Sequence, residues 1–286
     1  MPLEGRGRRY SRARGAVEWA LAHAYGRGWP AGLAHAVRMC GRLQVVRHTV
    51  VAQTGIDRPL RIGFVSDLHA GPTTHPSLLE AAAAALHEER PDVLLLGGDF
   101  VFLSARYADR AAALVRDVRA PLGKWAVLGN HDLWADDRHI TRALEAAGVR
   151  VLVNETARLP APFDRVAVCG VDDPWTGSRD GRRAFEGAKA DDFRILLAHA
   201  PAALLNIGDE RFDLGMCGHT HGGHIALPGG IPIVVPGPLS RRYPHGRFSL
   251  SGGRTLIVSR GVGATESPFR WNADPDVRII DVVAHV

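Results

Sequence analysis

Residues 61–71 read Arg-Ile-Gly-Phe-Val-Ser-Asp-Leu-His-Ala-Gly. The apolar run from Ile62 to Val65 predicts a short strand buried on both faces. It stops at Ser66, and Asp67 and His69 follow. Alternate residues of extended chain share a face, so one ion can receive both side chains. The same arrangement recurs along the chain. Asp92–Leu96 ends at Gly97-Gly98-Asp99, and Trp125–Leu128 ends at Gly129-Asn130-His131-Asp132. Arg194–Ala198 ends at His199, and Asp213–Cys217 ends at Gly218-His219-Thr220-His221.

Between these strands, His75–Arg90 reads as a helix that Pro91 terminates. Arg106–Ala120 and Arg138–Ala147 read as further helices, the last closed by Gly148 and followed by a strand over Val149–Val153. Strand alternating with helix predicts right-handed crossovers and a largely parallel sheet. The second half has fewer helices. Val166–Val171, Arg194–Ala198, Asp213–Cys217, Ile231–Val235, Thr255–Ser259 and Val277–Val283 predict a second, mixed sheet. The fold class is therefore α/β, with two mixed sheets packed as a sandwich and helices outside. Ligands of such sheets bind beyond the carboxyl ends of the strands, which is where the Asp, Asn and His blocks converge.

Each block alone has an ordinary reading. Asp-x-His arises by chance, His199 could simply cap a strand, Gly-Asn-His-Asp suits a turn, and His-x-His also occurs in mononuclear zinc sites. Their joint order at successive strand ends points to a metal site. Imidazole nitrogen combined with carboxylate oxygen suits Mn²⁺, Fe or Zn²⁺ better than Ca²⁺ or Mg²⁺.

Composition narrows the class. The 286 residues are 46% apolar and net +5. Residues 1–50 hold nine arginines against Glu4 and Glu18, a net of +7, which leaves −2 for the rest. A basic helical N-terminal extension (1–58) is thus expected to precede the domain that carries the Asp, Asn and His blocks (59–286). Residues 16–26 and 33–46 read as short amphipathic helices, either packed on the domain or touching an anionic membrane surface. Twin Arg8-Arg9 lacks a following apolar stretch, and no run approaches the about 20 residues of a spanning helix. A cytoplasmic location, peripheral to the inner face of the membrane, is expected. Three widely spaced cysteines form no disulfide framework. Cys217, beside the His-x-His block, reads as a small buried residue and not as a soft ligand.

The blocks Asp67-x-His69, Gly98-Asp99, Asn130-His131, His199 and His219-x-His221 resemble the calcineurin-like metallophosphoesterases over about residues 60–284. GHTHGG (218–223), GVDDP (170–174) and SRGVGATESPFRWNADPDVRII (259–280) are similar to a bacterial branch. That branch includes the YkuE- and YaeI-type phosphoesterases and the UDP-diacylglucosamine pyrophosphohydrolases. The resemblance implies a four-layer α-β-β-α fold and two divalent metal ions, Mn²⁺ foremost. Asp67, His69 and His221 would bind one ion, Asn130, His199 and His219 the other, and Asp99 both. It further implies hydrolysis of a phosphodiester, phosphomonoester or diphosphate by a hydroxide bridging the metals, with His131 assisting the leaving group. The substrate would be a phosphorylated small molecule or a lipid-linked phosphate.

His224 stands where the branch more often has Gln, and either contacts substrate or is a neutral replacement. Arg241 and Arg242 are candidates to grip phosphate, since guanidinium forks match its geometry. Trp134, Trp175 and Asn206 are candidates for the cleft wall. Asp132 either orients a ring or caps a turn, and Asp172 and Asp173 fit a loop near the site. Gly98-Asp99-Phe100-Val101-Phe102-Leu103-Ser104 lacks the Asp-Arg-Gly of Ser/Thr phosphatases. A nuclease would show a basic groove, whereas this body is acidic, so no nucleic-acid partner is expected. A non-catalytic scaffold of the same fold would have lost ligands that this chain keeps.

Overall fold

The structure, a computed structural model, describes residues 5–178 and 180–285. The first four residues of the basic extension lie outside the described residues. In chain order the elements are α1 (Arg12–Ala24), α2 (Trp29–Ala36), β1 (Gln44–Ala52), β2 (Leu60–Val65), α3 (Pro76–Glu89), β3 (Val93–Leu96), α4 (Ala108–Arg116) and β4 (Lys124–Ala126). Next come α5 (Asn130–Ala135), α6 (Asp137–Ala146), β5 (Arg150–Val151), β6 (Glu155–Arg158), β7 (Val166–Val171), β8 (Phe193–Ala198) and β9 (Leu214–Cys217). The chain closes with β10 (Ala226–Leu227), β11 (Ile231–Pro232), α7 (Pro238–Arg242), β12 (Gly246–Ser249), β13 (Thr255–Val258) and β14 (Asp276–Ala284).

Two six-stranded mixed sheets result, ordered β1-β14-β2-β3-β4-β5 and β12-β13-β9-β8-β7-β6. Alternation along each strand assigns its side chains to one core or another. In β3, Leu94 and Leu96 face the helices, while Val93 and Leu95 face the second sheet. In β8, Phe193, Ile195 and Leu197 meet the first sheet, while Leu196 and Ala198 face outward under the short turns Arg183–Phe185 and Pro201–Leu205. Strands buried on both faces are near-continuous apolar runs, as the sequence shows. The parallel run β2-β3-β4-β5, with α3, α4 and α6 between, matches the expected crossovers.

Three expectations need correction. The helix read over 33–46 ends at Ala36, and β1 follows inside the segment taken as a helical extension. Its β-branched run (QVVRHTVVA) pairs in parallel with β14 over nine residues. The strand read at Val277–Val283 belongs to the first sheet, between β1 and β2, because Val277 and Ile279 fill its helix-side core and Ile280 and Val282 the intersheet core. Ile231–Val235 is not in the second sheet. Gly229-Gly230 turns it back on β10 as a separate exposed hairpin, with Val234 73% exposed.

Candidate metal centre

The carboxyl ends of β2, β3, β4, β8 and β9 bring the sequence blocks to one place. Asp67, His69, Asp99 and His199 are almost wholly buried, and Asn130 and His221 nearly so. Within that knot, ligand-type atoms of Asp67, His69 and His221 lie within 4.8 Å of one another, as do those of Asp99, His199 and His219. Asp99 joins the two groups. Its Oδ2 is 3.5 Å from His69 Nε2 and 3.2 Å from His199 Nε2.

The local backbone is bent to achieve this. Asp67, His69, Asp99, His219, His221 and His224 all take positive φ, from 40° at His69 to 72° at His219. Non-glycine residues pay of order 1–3 kcal/mol each for such backbone, and they gather where geometry is over-determined by function. Gly129 and Gly218 complete the approach. A Cβ at Gly129 would collide with the Asp99 carboxylate, and one at Gly218 with that of Asp67.

Donor chemistry fits a cation. His199 Nδ1 lies 2.8 Å from the Gly97 carbonyl and donates to it, which leaves Nε2 as a lone pair. That lone pair faces Asn130 Oδ1 at 3.2 Å, Asp99 Oδ2 at 3.2 Å and His219 Nδ1 at 3.1 Å. Acceptors converging in a buried space repel one another unless positive charge sits among them. His69 Nε2 and His221 Nε2 face each other at 3.1 Å, beside Asp67 Oδ1 at 3.9 and 3.5 Å. Burial opposes charge on His199, but Asp99, Asp67 and Asp173 raise its pKa well above the usual value, so without a cation a proton on Nε2 supplies the positive charge this group of acceptors requires. Burial likewise opposes charge on Asp99, yet His199, His131 and His69 hold it well below the usual carboxylate range. His219 is lowered to about 3 by burial and by its neighbour His199.

His131 follows Asn130 in the first turn of α5. Its backbone N–H donates to Asp99 Oδ1 at 2.9 Å, and its ring stands edge-on to His69 (5.0 Å) and Trp134 (5.4 Å). Burial lowers its pKa to about 3, against the attraction of Asp99. Asp132 does more than cap a turn. Its Oδ2 accepts from the N–H groups of Asp99 (2.8 Å) and Gly129 (3.0 Å), and its Oδ1 from those of Phe100 (2.8 Å) and Val101 (3.3 Å). One buried carboxylate thus ties the Asp99 loop to the Asn130 loop.

A cavity of about 510 Å³ opens over this centre, with Asp99, Asn130, His131, His219 and His221 in its floor and His224 beside them. His224 stacks on His221 at 4.4 Å, so it belongs to the wall. Trp134 and Trp175 line the cavity, while Asn206 lines a neighbouring one. The structure does not bring Arg241 or Arg242 to the cavity. Both are exposed on the last turn of α7, Arg241 beside the β10–β11 hairpin and Arg242 over the Tyr243 ring. Asp172 and Asp173 are buried at the rim, where Asp173 accepts from Trp175 N, Thr176 N and Thr176 Oγ1. Cys217 packs among apolar residues outside the second sheet.

Sequence reasoning missed Arg9, Arg14, Glu266 and Arg270. Arg9 and Arg14 are cations of the basic extension, yet they line the catalytic cavity. Buried Arg270 donates to the carbonyls of Arg260, Gly263 and Ala273 and sits 3.1 Å from His221 Nδ1. Its signal lay within the segment 259–280, where one arginine among many carried no mark of burial.

The calcineurin-like phosphoesterase family matches residues 60–223. The chain is 32% identical over 254 residues to phosphodiesterase YaeI of Escherichia coli strain K12, covering 85% of this chain and 89% of that one. It is 30% identical over 244 residues to the uncharacterized metallophosphoesterase YkuE of Bacillus subtilis strain 168, covering 83% and 84%. An uncharacterized metallophosphoesterase of Aquifex aeolicus strain VF5 is 31% identical over 230 residues, covering 78% and 85%.

Proposed function

We propose a two-metal mechanism for this chain, which belongs to the calcineurin-like phosphoesterase family and is a metal-dependent phosphoester hydrolase. Asp67, His69 and His221 would hold one divalent ion and Asn130, His199 and His219 the other. The observation that carries the reading is the place of Asp99, whose Oδ2 faces His69 in one group and His199 in the other. Bound there, the two cations would polarise the phosphoryl oxygens and lower the pKa of water. Nitrogen and oxygen donors together support Mn²⁺, with Fe and Zn²⁺ as alternatives.

The chain's own residues do the positioning. His199 is fixed by its bond to Gly97, and Asp132 sets the distance between the Asp99 and Asn130 loops. His131, on the cavity floor, is placed to give a proton or hydrogen bond to the departing oxygen. Burial, with His69 and Arg14, outweighs the attraction of Asp99 and Glu266, so the ring is neutral and a donated hydrogen bond is the role its lowered pKa supports. Among ester types, similarity to a chain named as a phosphodiesterase supports a diester first. A lipid-borne phosphate and peripheral contact with an anionic membrane remain part of this proposal. They are supported by the arginines of residues 1–50 and by exposed Trp19 on α1, Trp29 and Leu33 on α2, and Val37 just after it. No helix among the described residues is long and apolar enough to cross a membrane.

Mn²⁺-reconstituted chain is tested on bis-p-nitrophenyl phosphate, p-nitrophenyl phosphate and a UDP-sugar in parallel, beside His131→Ala. Turnover is expected on the diester, and the variant should keep its metals while losing about 10²-fold or more in rate. Near-parental turnover by His131→Ala would remove that residue from the mechanism.

A further inference from the structure

The N-terminal segment before α1 is bolted across the mouth of the catalytic cavity. Gly7 N–H donates to the Leu133 carbonyl and Arg8 N–H to the Thr176 carbonyl, both at 2.8 Å. Trp134 Nε1 donates to the Arg8 carbonyl at 3.0 Å. Arg6 forks onto the buried Asp172 carboxylate at 2.6 and 2.9 Å and also pairs with Asp137 at 3.1 Å. One edge of this strap is therefore fixed beside His131 and the other beside Trp175. Gly7 permits the approach, since a Cβ there would strike Leu133 and Trp134.

The strap and α1 bring the only arginines of the cavity wall among the described residues, Arg9 from the strap and Arg14 from the first turn of α1. Arg14 is neutralised by Glu18 at 2.7 Å and Glu266 at 3.0 Å, and lies 4.9 Å over the Trp134 ring. Arg9 has no acidic partner among the described residues, is exposed, and is held at φ 60°. Arg9 borders two spaces, the cavity over the metal-ligand cluster and a side pocket of about 160 Å³ walled by Pro174, Trp175, Leu205, Pro238 and Leu239. His131 and Trp134 also border a different recess of about 300 Å³, which Arg9 does not line. If His131 serves the leaving oxygen, as in the reading above, the leaving group departs toward that recess. The side pocket beside Arg9 is then the remaining bordering space for the group retained on phosphorus.

We propose that Arg9 is a specificity-determining residue for the retained half of a phosphodiester, and that this half is an oxygen-bearing linker ending in a flat or apolar ring, as in a nucleoside. A guanidinium supplies forked donors to the linker oxygens. The pocket behind it, walled by Trp175, two prolines and two leucines, takes the ring. This inference rests on the phosphoesterase reading of the same cavity.

The full Mn²⁺-loaded chain is compared with Arg9→Gln, Arg9→Lys and Leu205→Asp on thymidine 5′-(p-nitrophenyl phosphate) and on p-nitrophenyl phosphate, which has no retained substituent. Losing one charge-assisted contact predicts that Arg9→Gln raises KM for the thymidine ester about tenfold, more than for the monoester, with kcat little changed. Arg9→Lys should recover part of that loss, and Leu205→Asp, on the exposed pocket wall, should lower the same preference. Quenching of tryptophan fluorescence by thymidine 5′-monophosphate gives a reading independent of turnover, with the same about tenfold weakening in Arg9→Gln. An unchanged preference and unchanged quenching would overturn the proposal, and so would equal losses on both substrates. If the parent chain hydrolyses neither substrate, the phosphoesterase reading fails, and the quenching titration alone decides the role of Arg9.

Discussion

Replacing Asp132 by Asn changes one oxygen to an amide and keeps the shape, yet the structure predicts a large effect. Asp132 is fully buried, and its two oxygens take four backbone N–H groups in pairs, Asp99 with Gly129 and Phe100 with Val101. Asn has one acceptor oxygen, so whichever way the amide turns, two N–H donors meet an NH₂ group. A buried donor without an acceptor costs about 1–3 kcal/mol, so the substitution should cost about 2–6 kcal/mol. For a chain of this size about 2 °C of melting temperature accompanies each kcal/mol, which predicts a fall of about 4–12 °C.

The loss is also local. Asp99 N and Gly129 N hang on the same oxygen, and Gly129 precedes Asn130 and His131. Their release should loosen Asp99 and Asn130 together, which on the two-metal proposal are the shared carboxylate and one ligand. Differential scanning fluorimetry of the metal-free chain measures the stability term, and metal titration the site. A melting temperature within about 1 °C of the parent, with undiminished metal affinity, would refute the argument. It would mean that Asp132 carries a proton and that the amide merely replaces it.

Other outcomes follow from the same geometry. Asp99→Asn removes the negative charge that lies between the two side-chain groups, so on the two-metal proposal both ions should weaken together, by more than the about 10–100-fold usual for an outer ligand partner. Elemental analysis still finding two tightly held ions would contradict this. Cys169 and Cys217 are buried, and burial pushes the Cys169 thiol up to about 12 and Cys217 higher. Iodoacetamide at pH 8 should leave both untouched in the native chain, with Cys40 the sole slow site, and should label all three in urea. Mass spectrometry showing native modification at Cys217 would place that thiol at the surface.

The clustering of these side chains was legible because its signals are local: an apolar run, then Asp or His where the run stops. Each strand end needs only its own few residues to be read, and the sheet brings the ends together afterwards. β1 and β14 were harder because their partnership spans more than 220 residues, and nothing within either strand states which sheet it joins. Asp132 showed a similar limit. The sequence marked a carboxylate in a turn, but two of its four partners are N–H groups of Phe100 and Val101, which any residue would supply. The strap marks the far end of this scale. Its bonds to Leu133 and Thr176 are backbone to backbone, so no side-chain pattern encodes them. The traces left in the sequence are Gly5 and Gly7, where a Cβ would strike Leu133, and these sit in an arginine-rich stretch that reads as a solvated tail. Charge counting divided the chain into a basic extension and an acidic body, whereas the structure uses the extension to place cations over the acidic centre. Net charge by segment thus concealed that residues from both parts form one cavity wall.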